Sequence, residues 1–223
     1  NLMVLASKAY LEGFYYKPRI DKDILEAHSD GLICLSGCAS SELSHHILAG
    51  RDAEAEALVD WYQRVFGEHL YLEIQNAGLR IQQECLVGTV DISQRRGIPL
   101  VATNDSHYLD RSDSEAHDVL LCVNTRTVIS DERRMQMEGN EFFVKSPSEM
   151  YDAFPDHADA VAISQQIADG VDIDLDFTTK HFPVFEPPAG QTDTDYLRQL
   201  CQDRLSWRYE DEIGDAVTER LDD

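Results

Sequence analysis

The sequence predicts an α/β protein built around a parallel sheet. Three short apolar runs rich in β-forming residues occur, at 31–37, 70–75 and 98–105. Helical patterns lie between these runs, at 40–49, 51–66 and 79–96. Crossovers of this length join parallel strands, because an antiparallel pair needs only a short turn.

Local patterns predict the other elements in chain order. Residues 1–12 show the apolar period of a helix, and the end of the chain is a charged helical stretch, so we expect a segment of a longer protein. The first and third apolar runs are near-continuous, which suits strands buried on both faces. Beyond residue 105 the patterns predict a helix at 112–123, a short strand at 141–144, helices at 147–153 and 155–169, a proline-rich extended connector at 171–190 and a last helix at 193–209.

The charge balance excludes one class of function. The chain has 223 residues, of which 42 are acidic and 19 basic, and its formal net charge is −23. Such a chain repels phosphate, which argues against a protein that grips DNA in a basic groove. Two interpretations stay open: a solvated acidic surface of the salt-adapted kind, or phosphate handling through metal ions. Most of the acidic excess lies after residue 145, away from the predicted strands.

Other coarse features point to the cytoplasm. No apolar run approaches the roughly 20 residues that span a bilayer, and the first residues do not resemble a signal peptide. The five cysteines are scattered and form no CxxC pair, so we expect reduced thiols and neither a disulfide framework nor a zinc knuckle.

Polar residues follow all three predicted strands, where the sites of parallel α/β proteins form. Asp105 and His107 leave the third strand as a D-x-H pair, and Cys38 follows the first, so together they offer oxygen, nitrogen and sulfur donors to a metal. The alternatives are a helix-capping Asp105, an ordinary loop His107 and a buried, inert Cys38. Glu73 is a functional group, a buried structural carboxylate or an outward side chain, and these alternatives stay open. His117 is interpreted as a helix-face or core-edge histidine in preference to a ligand.

A basic spot could meet nucleic acid. Lys17 and Arg19 lie beside Tyr15 and Tyr16, and aromatic rings next to cations can stack on bases. The alternative is a packed tyrosine pair with a surface ion pair between Arg19 and Asp21.

Several segments, taken together, resemble one family. NLMVLASKAYLEGFYYKPRID, GLICLSGCASSEL, YLEIQNAG, GIPLVATNDSHYLDRSDSEAHDVLLCV and NEFFVKSPSEM are similar, in order and spacing, to the PHP (polymerase and histidinol phosphatase) domain of the alpha subunit of bacterial DNA polymerase III. The resemblance covers nearly the whole chain. It implies a distorted (β/α)7 PHP barrel, incomplete at its N-terminal side, in residues 1–178. Residues 179–223 would be a connector and first helix leading to the polymerase palm.

The resemblance also implies chemistry. Cys38, Asp105 and His107 match metal ligands of the family, which holds zinc or manganese and in some members proofreads as a 3′–5′ exonuclease. The upstream H-x-H ligands and the polymerase carboxylates, which bind magnesium, would lie outside this chain, so we expect the segment alone to be inactive. The implied partners are template-primer DNA, dNTPs, the sliding clamp, the clamp loader and a proofreading exonuclease, with no membrane. The alternatives are a metal-stabilised platform that docks a separate exonuclease, and a free-standing phosphoesterase.

Overall fold

The structure is a computed structural model that describes residues 1–180, 182–210 and 213–222. It divides into two compact units, Asn1–Asp172 and Ile173–Asp223. The first unit contains the strands β1 (Cys34–Leu35), β2 (Leu70–Gln75) and β3 (Leu100–Thr103). Its helices are α1 (Leu2–Leu11), α2 (Lys22–Ala27), α3 (Glu42–Leu48), α4 (Asp52–Phe66), α5 (Arg80–Arg96), α6 (Ser114–Thr125), α7 (Pro147–Ala153) and α8 (Ala158–Gly170).

The strands form the parallel sheet that the sequence predicts. Their order is β1-β2-β3, and both neighbouring pairs run parallel, with Leu35 opposite Tyr71 and Gln75 opposite Thr103. All three strands therefore end at the same edge of the sheet. The predicted strand at 141–144 is reduced to a single parallel bridge between Tyr108 and Phe143.

One face of β2 supplies the core. Leu70, Leu72 and Ile74 are at most 2% exposed, whereas Tyr71, Glu73 and Gln75 on the opposite face are only partly buried. The first half of β2 packs with α3 and α4, in a cluster that includes Leu43, Leu58, Val59, Phe66, Ile92 and Ile98. Ile74 packs with Ala102, Phe154, Ala160 and Val161 towards α7 and α8. The polar face of β2 is therefore not part of this core, and its side chains are available for hydrogen bonds at the strand ends.

Burial differs between the two outer strands. Val101 and Ala102 of β3 are consecutive and both at most 3% exposed, as expected for a strand buried on both faces. For β1 that prediction is wrong, since Leu35 is 38% exposed. Within the described chain β1 pairs on one side only, so its outer edge faces solvent.

Local capping explains where several helices begin and end. Ser41 accepts a hydrogen bond from the Ser44 amide at the start of α3. Ser146 and Glu149 form a capping box at α7, whose first residue is a proline. Gly97 ends α5 in the left-handed conformation (φ 65°), which only glycine adopts without strain.

The second unit has three helices of its own, α9 (Asp193–Asp203), α10 (Leu205–Tyr209) and α11 (Asp215–Asp222). The stretch before α9 contains neither helix nor strand in its described part, and Phe185 stacks on Tyr196. The extended connector stays a prediction. The predicted single helix at 193–209 is interrupted at Arg204, whose backbone (φ −101°, ψ 0°) leaves the helical region. The predicted domain boundary at 178/179 stays a prediction.

Among the described residues, the structure contains no helix that is both long enough and apolar enough to cross a membrane.

Candidate metal centre at the strand ends

Asp105 and His107 meet directly behind the end of β3. The His107 Nε2 atom lies 3.0 Å from the Asp105 Oδ1 atom, and the other carboxylate oxygen accepts a hydrogen bond from Gln82 Nε2 at 3.1 Å. The two side chains are 28% and 40% exposed, so solvent and small ligands reach them. The Asp105 carboxylate therefore bonds to side chains from the loop and from α5.

A distant segment holds this loop in place. The amide of His107 donates to the Phe142 carbonyl at 2.7 Å, and the Asn104 Nδ2 atom donates to the Phe143 carbonyl at 2.7 Å. The Phe142 side chain is 1% exposed, and its ring packs edge-on against the His107 imidazole at 5.5 Å between centroids. The D-x-H pair is thus positioned by backbone bonds and by a buried ring.

Lys145 adds a buried positive charge to this segment. Its side chain is 5% exposed, its Nζ atom lies 3.6 Å from a Glu141 carboxylate oxygen and donates to Asn104 Oδ1 at 3.5 Å, and it stands over the Phe143 ring at 4.5 Å. Desolvation is the main reason that its pKa lies below the usual lysine value, and the nearby Arg111 cation adds to this. Sequence reasoning missed Lys145 because its contact with Asn104 crosses 41 residues of chain. Its signal in the sequence was its place in NEFFVKSPSEM.

Glu73 connects the exits of all three strands, that is, the residues at and just after their C-terminal ends. Its carboxylate accepts hydrogen bonds from the Gly37 amide at 3.2 Å, from Thr103 Oγ1 at 2.5 Å and from Gln75 Nε2 at 3.3 Å. Its own amide donates to Ser36 Oγ at 2.9 Å. These bonds give Glu73 the structural role that the sequence left open, and they contradict a side chain that merely points outward.

Cys38 lies at the exit of β1, four residues after Cys34. It is exposed, so the alternative of a buried, inert cysteine does not hold, and its Sγ atom is 3.0 Å from Ser40 Oγ. A small cavity of about 10 Å³ is lined by Cys38, Glu73 and Gln82, among others. Gln82 also bonds Asp105, so this one amide stands between the cysteine and the D-x-H pair.

The donor set fits a divalent metal in part. A carboxylate oxygen and an imidazole nitrogen lie 3.0 Å apart, within hydrogen-bond distance, and a cation that takes both as ligands would replace that contact. No group of three His, Cys, Asp or Glu side chains placed to hold a metal occurs in the described part of the chain. Asp105 and His107 are therefore brought together, while Cys38 is not placed with them in one cluster.

The basic spot formed by Lys17 and Arg19 follows α1 in the chain. Tyr15 and Tyr16 are 63% and 85% exposed, their rings meet edge to face at 4.6 Å, and the Arg19 guanidinium stands 4.8 Å over the Tyr15 ring. The backbone amide of Tyr15 donates to the Lys17 carbonyl at 3.1 Å. The aromatic and cationic groups are thus presented on the surface, where a role for Lys17 and Arg19 in binding nucleic acid remains a prediction.

Comparison with known proteins gives two findings. Residues 1–77 match the PHP domain family model, a range that includes Cys38 and ends at β2. The chain is 41% identical to DNA polymerase III subunit alpha of Borreliella burgdorferi over 94% of its length, and 40% identical to that of Thermus aquaticus over 97%. Its match to the Deinococcus radiodurans subunit is 42% identical over 70% of the chain.

The chain spans 18% of the Borreliella and Thermus subunits and 12% of the Deinococcus subunit. The matches to the first two cover nearly all of this chain, well beyond the residues that match the domain model. The resemblance that the sequence predicts is thereby confirmed: the chain carries a PHP domain match and is related, over nearly its whole length, to the alpha subunits of bacterial DNA polymerase III.

Proposed function

We propose that this chain is the PHP portion of a replicative DNA polymerase alpha subunit and that the ends of its strands form a divalent-metal phosphoesterase site. The observation that carries the proposal is the Asp105–His107 pair, held 3.0 Å apart at the carboxyl end of β3 in a relative of these polymerases. Parallel α/β folds place their sites at this edge. The substrate we infer is the 3′ end of a DNA strand, hydrolysed as in proofreading.

Asp105 and His107 would hold zinc or manganese, with Cys38 as a third ligand after a movement of its exposed loop. Such an ion supplies Lewis acidity, which activates water and neutralises charge on a phosphodiester. The chain's own residues orient the ligands: Gln82 fixes the Asp105 carboxylate, and the Phe142 carbonyl fixes the loop that carries His107.

The wider context is also part of the proposal. We infer a (β/α)7 barrel completed by other residues of the parent protein, a palm region that begins near residue 179, and magnesium-dependent DNA synthesis at carboxylates outside this chain. Template-primer DNA, dNTPs, the sliding clamp, the clamp loader and a separate exonuclease would be partners of that whole protein, which would work in the cytoplasm.

The decisive experiment compares the full-length protein with its Asp105→Asn variant. We expect this substitution to lower bound zinc or manganese and to slow 3′–5′ hydrolysis of single-stranded DNA by at least about 10- to 100-fold, the loss usual even for an outer partner of a metal ligand. Asp156→Asn is the matched control, since Asp156 is an exposed carboxylate in the turn before α8.

Undiminished hydrolysis in the Asp105→Asn variant would contradict a catalytic site. If bound metal and stability fell while hydrolysis stayed, the metal would be structural, and docking of a separate exonuclease would be the better interpretation. A coding sequence that stopped near residue 223 would instead favour a free-standing phosphoesterase.

A further inference from the structure

A cavity of about 190 Å³ lies beside the Asp105–His107 pair and has no part in the site described so far. It is formed by the first turns of α6 and by the segment around Gly139. Among its walls are Tyr108, Ser114, Glu115, His117 and Asp118. It is smaller than the roughly 300 Å³ at which pockets for drug-sized ligands begin, so it suits a ligand no larger than a nucleoside.

His117 connects the cavity to the candidate metal pair. Its imidazole packs on His107 with the ring centroids 5.6 Å apart, and on Tyr108 with the centroids 5.4 Å apart. A group in the cavity and a group at His107 are thus separated by one ring. A molecule the size of a nucleotide can occupy both places.

The Tyr108 hydroxyl points to a ligand. Its oxygen is buried and has no hydrogen-bond partner among the described residues, although the residue lines the cavity. A buried hydroxyl without a partner destabilises the folded protein, and such groups are uncommon in native structures. The oxygen is closed off from solvent in the ligand-free protein, so a small shift of the Tyr108 ring would let a ligand in the cavity satisfy it.

The charges around the cavity select the kind of ligand. Asp118 is fixed by the nearly buried Arg134, whose Nη2 atom lies 2.7 Å from Asp118 Oδ2, and Arg134 is the main reason that the pKa of Asp118 lies below its usual value. Glu115 is a second carboxylate, and the lining includes no lysine or arginine side chain within the described chain. Arg134 neutralises Asp118, so Glu115 is the carboxylate that disfavours phosphate, and the wall suits a neutral group rich in hydrogen-bond donors, such as a sugar hydroxyl or a base N–H.

We propose that the cavity binds the nucleoside of the DNA nucleotide whose phosphate lies at Asp105 and His107. This inference rests on the proposed function for the identity of the nucleotide, but not for the presence of the cavity. Tyr108 is its binding residue, since its hydroxyl bonds the nucleoside. The two parts of the nucleotide would thus bind at different places: the phosphate at Asp105 and His107, and the uncharged nucleoside in the cavity beside Glu115 and Asp118.

Thymidine without metal is the probe, and NMR titration of the intact protein is the measurement. We expect saturable binding that weakens about tenfold in Tyr108→Phe, because one buried hydrogen bond is lost. The thermal midpoint of the ligand-free variant should stay the same or rise, since an unsatisfied hydroxyl is removed. Tyr151→Phe, an exposed tyrosine on α7, is the matched control and should bind thymidine like the wild type.

Equal thymidine affinity in Tyr108→Phe, or no saturable binding to the wild type, would overturn the proposal. If Tyr108→Phe did not fold, Ser114→Ala would take its place, since it removes another hydroxyl from the wall. The two proposals can fail separately, because Asp105→Asn should leave thymidine binding unchanged. If the protein took up no metal but still bound thymidine through Tyr108, the nucleoside cavity would be supported and the metal site would be rejected.

Discussion

The exits of β3 and β1 carry the three candidate metal ligands, and they are built differently. The β3 exit is fixed from behind by residues 142–145, through two backbone-carbonyl bonds of 2.7 Å and the buried Phe142 ring. The β1 exit ends in an exposed cysteine whose sulfur contacts a neighbouring hydroxyl, on a strand with one edge in solvent. The Cys38 loop is held as well, because the Cys38 carbonyl accepts hydrogen bonds from the Ser41 amide at 2.9 Å and from the Ser44 hydroxyl at 3.0 Å. The contrast lies in the side chains: those of Asp105 and His107 contact each other and His107 packs on Phe142, whereas the Cys38 thiol is exposed.

This difference affects both the entropy that a ligand loses when it binds a metal and its chemical reactivity when it is free. Asp105 and His107 lose little conformational entropy when they bind an ion, because their loop is already ordered by packing. The exposed Cys38 side chain must be fixed on binding, and its thiol must lose a proton. We therefore expect changes behind β3 to affect stability and metal affinity together, and changes at β1 to affect chiefly the reactivity of the cysteine.

The largest effect is expected from Phe142→Ala. Phe142 is 1% exposed, and truncation of such a ring costs about 3–5 kcal/mol of unfolding free energy. The His107 ring also loses its packing partner, so affinity for manganese should fall about tenfold or more in the fraction that remains folded. Urea unfolding and equilibrium dialysis measure the two quantities.

Phe66→Ala separates stability from site geometry. Phe66 is 7% exposed at the end of α4, in the core cluster that holds the first half of β2. A comparable loss of stability with unchanged manganese affinity is the result we expect. Equal losses of affinity in both variants would mean that the β3 exit has no special support from Phe142.

An intermediate effect is expected from Glu73→Gln, which acts on both exits. An amide has one acceptor oxygen, so one of the donors now facing the carboxylate would face an NH₂ group, which costs about 1–3 kcal/mol. The Gly37 amide is among these donors, and Gly37 directly precedes Cys38. Loss of that bond would loosen the backbone beside the cysteine, so alkylation of Cys38 should also become faster. Glu68→Gln, in the exposed turn before β2, should change neither urea stability nor the alkylation rate.

Sequence patterns predicted the helices and strands better than the contacts that each of them makes with distant parts of the chain. The three parallel strands and the helices around them follow from apolar periods, and Glu73 is foreshadowed by the alternation along β2. The open edge of β1 was missed because a continuous apolar run does not say whether a strand has two neighbours. Phe142 and Lys145 were missed as supports because the Phe142 carbonyl reaches the His107 amide, and Lys145 reaches Asn104, from far along the chain.

The smallest effect is expected at Cys34, which tests whether β1 is buried at its start although it is open at its exit. Desolvation raises the pKa of Cys34 from 9.0 to about 11, and the Glu73 carboxylate adds to the shift. The folded state thus holds the thiol proton more tightly than the unfolded state does. The resulting stabilisation is complete below pH 9 and is lost as the pH rises from 9 towards 11.

Cys34→Ala should therefore make urea stability fall less steeply between pH 9 and 11 than in the wild type. Cys201→Ala, which removes an exposed thiol in the second unit, should keep the wild-type slope. At about pH 8 an alkylating reagent should modify Cys38 well before Cys34, because the thiolate is the reactive form and burial suppresses it. Equal rates for the two cysteines would show that β1 is open along its whole length, and the contrast between the two exits would then reflect an exposed strand and not the exposed Cys38 side chain alone.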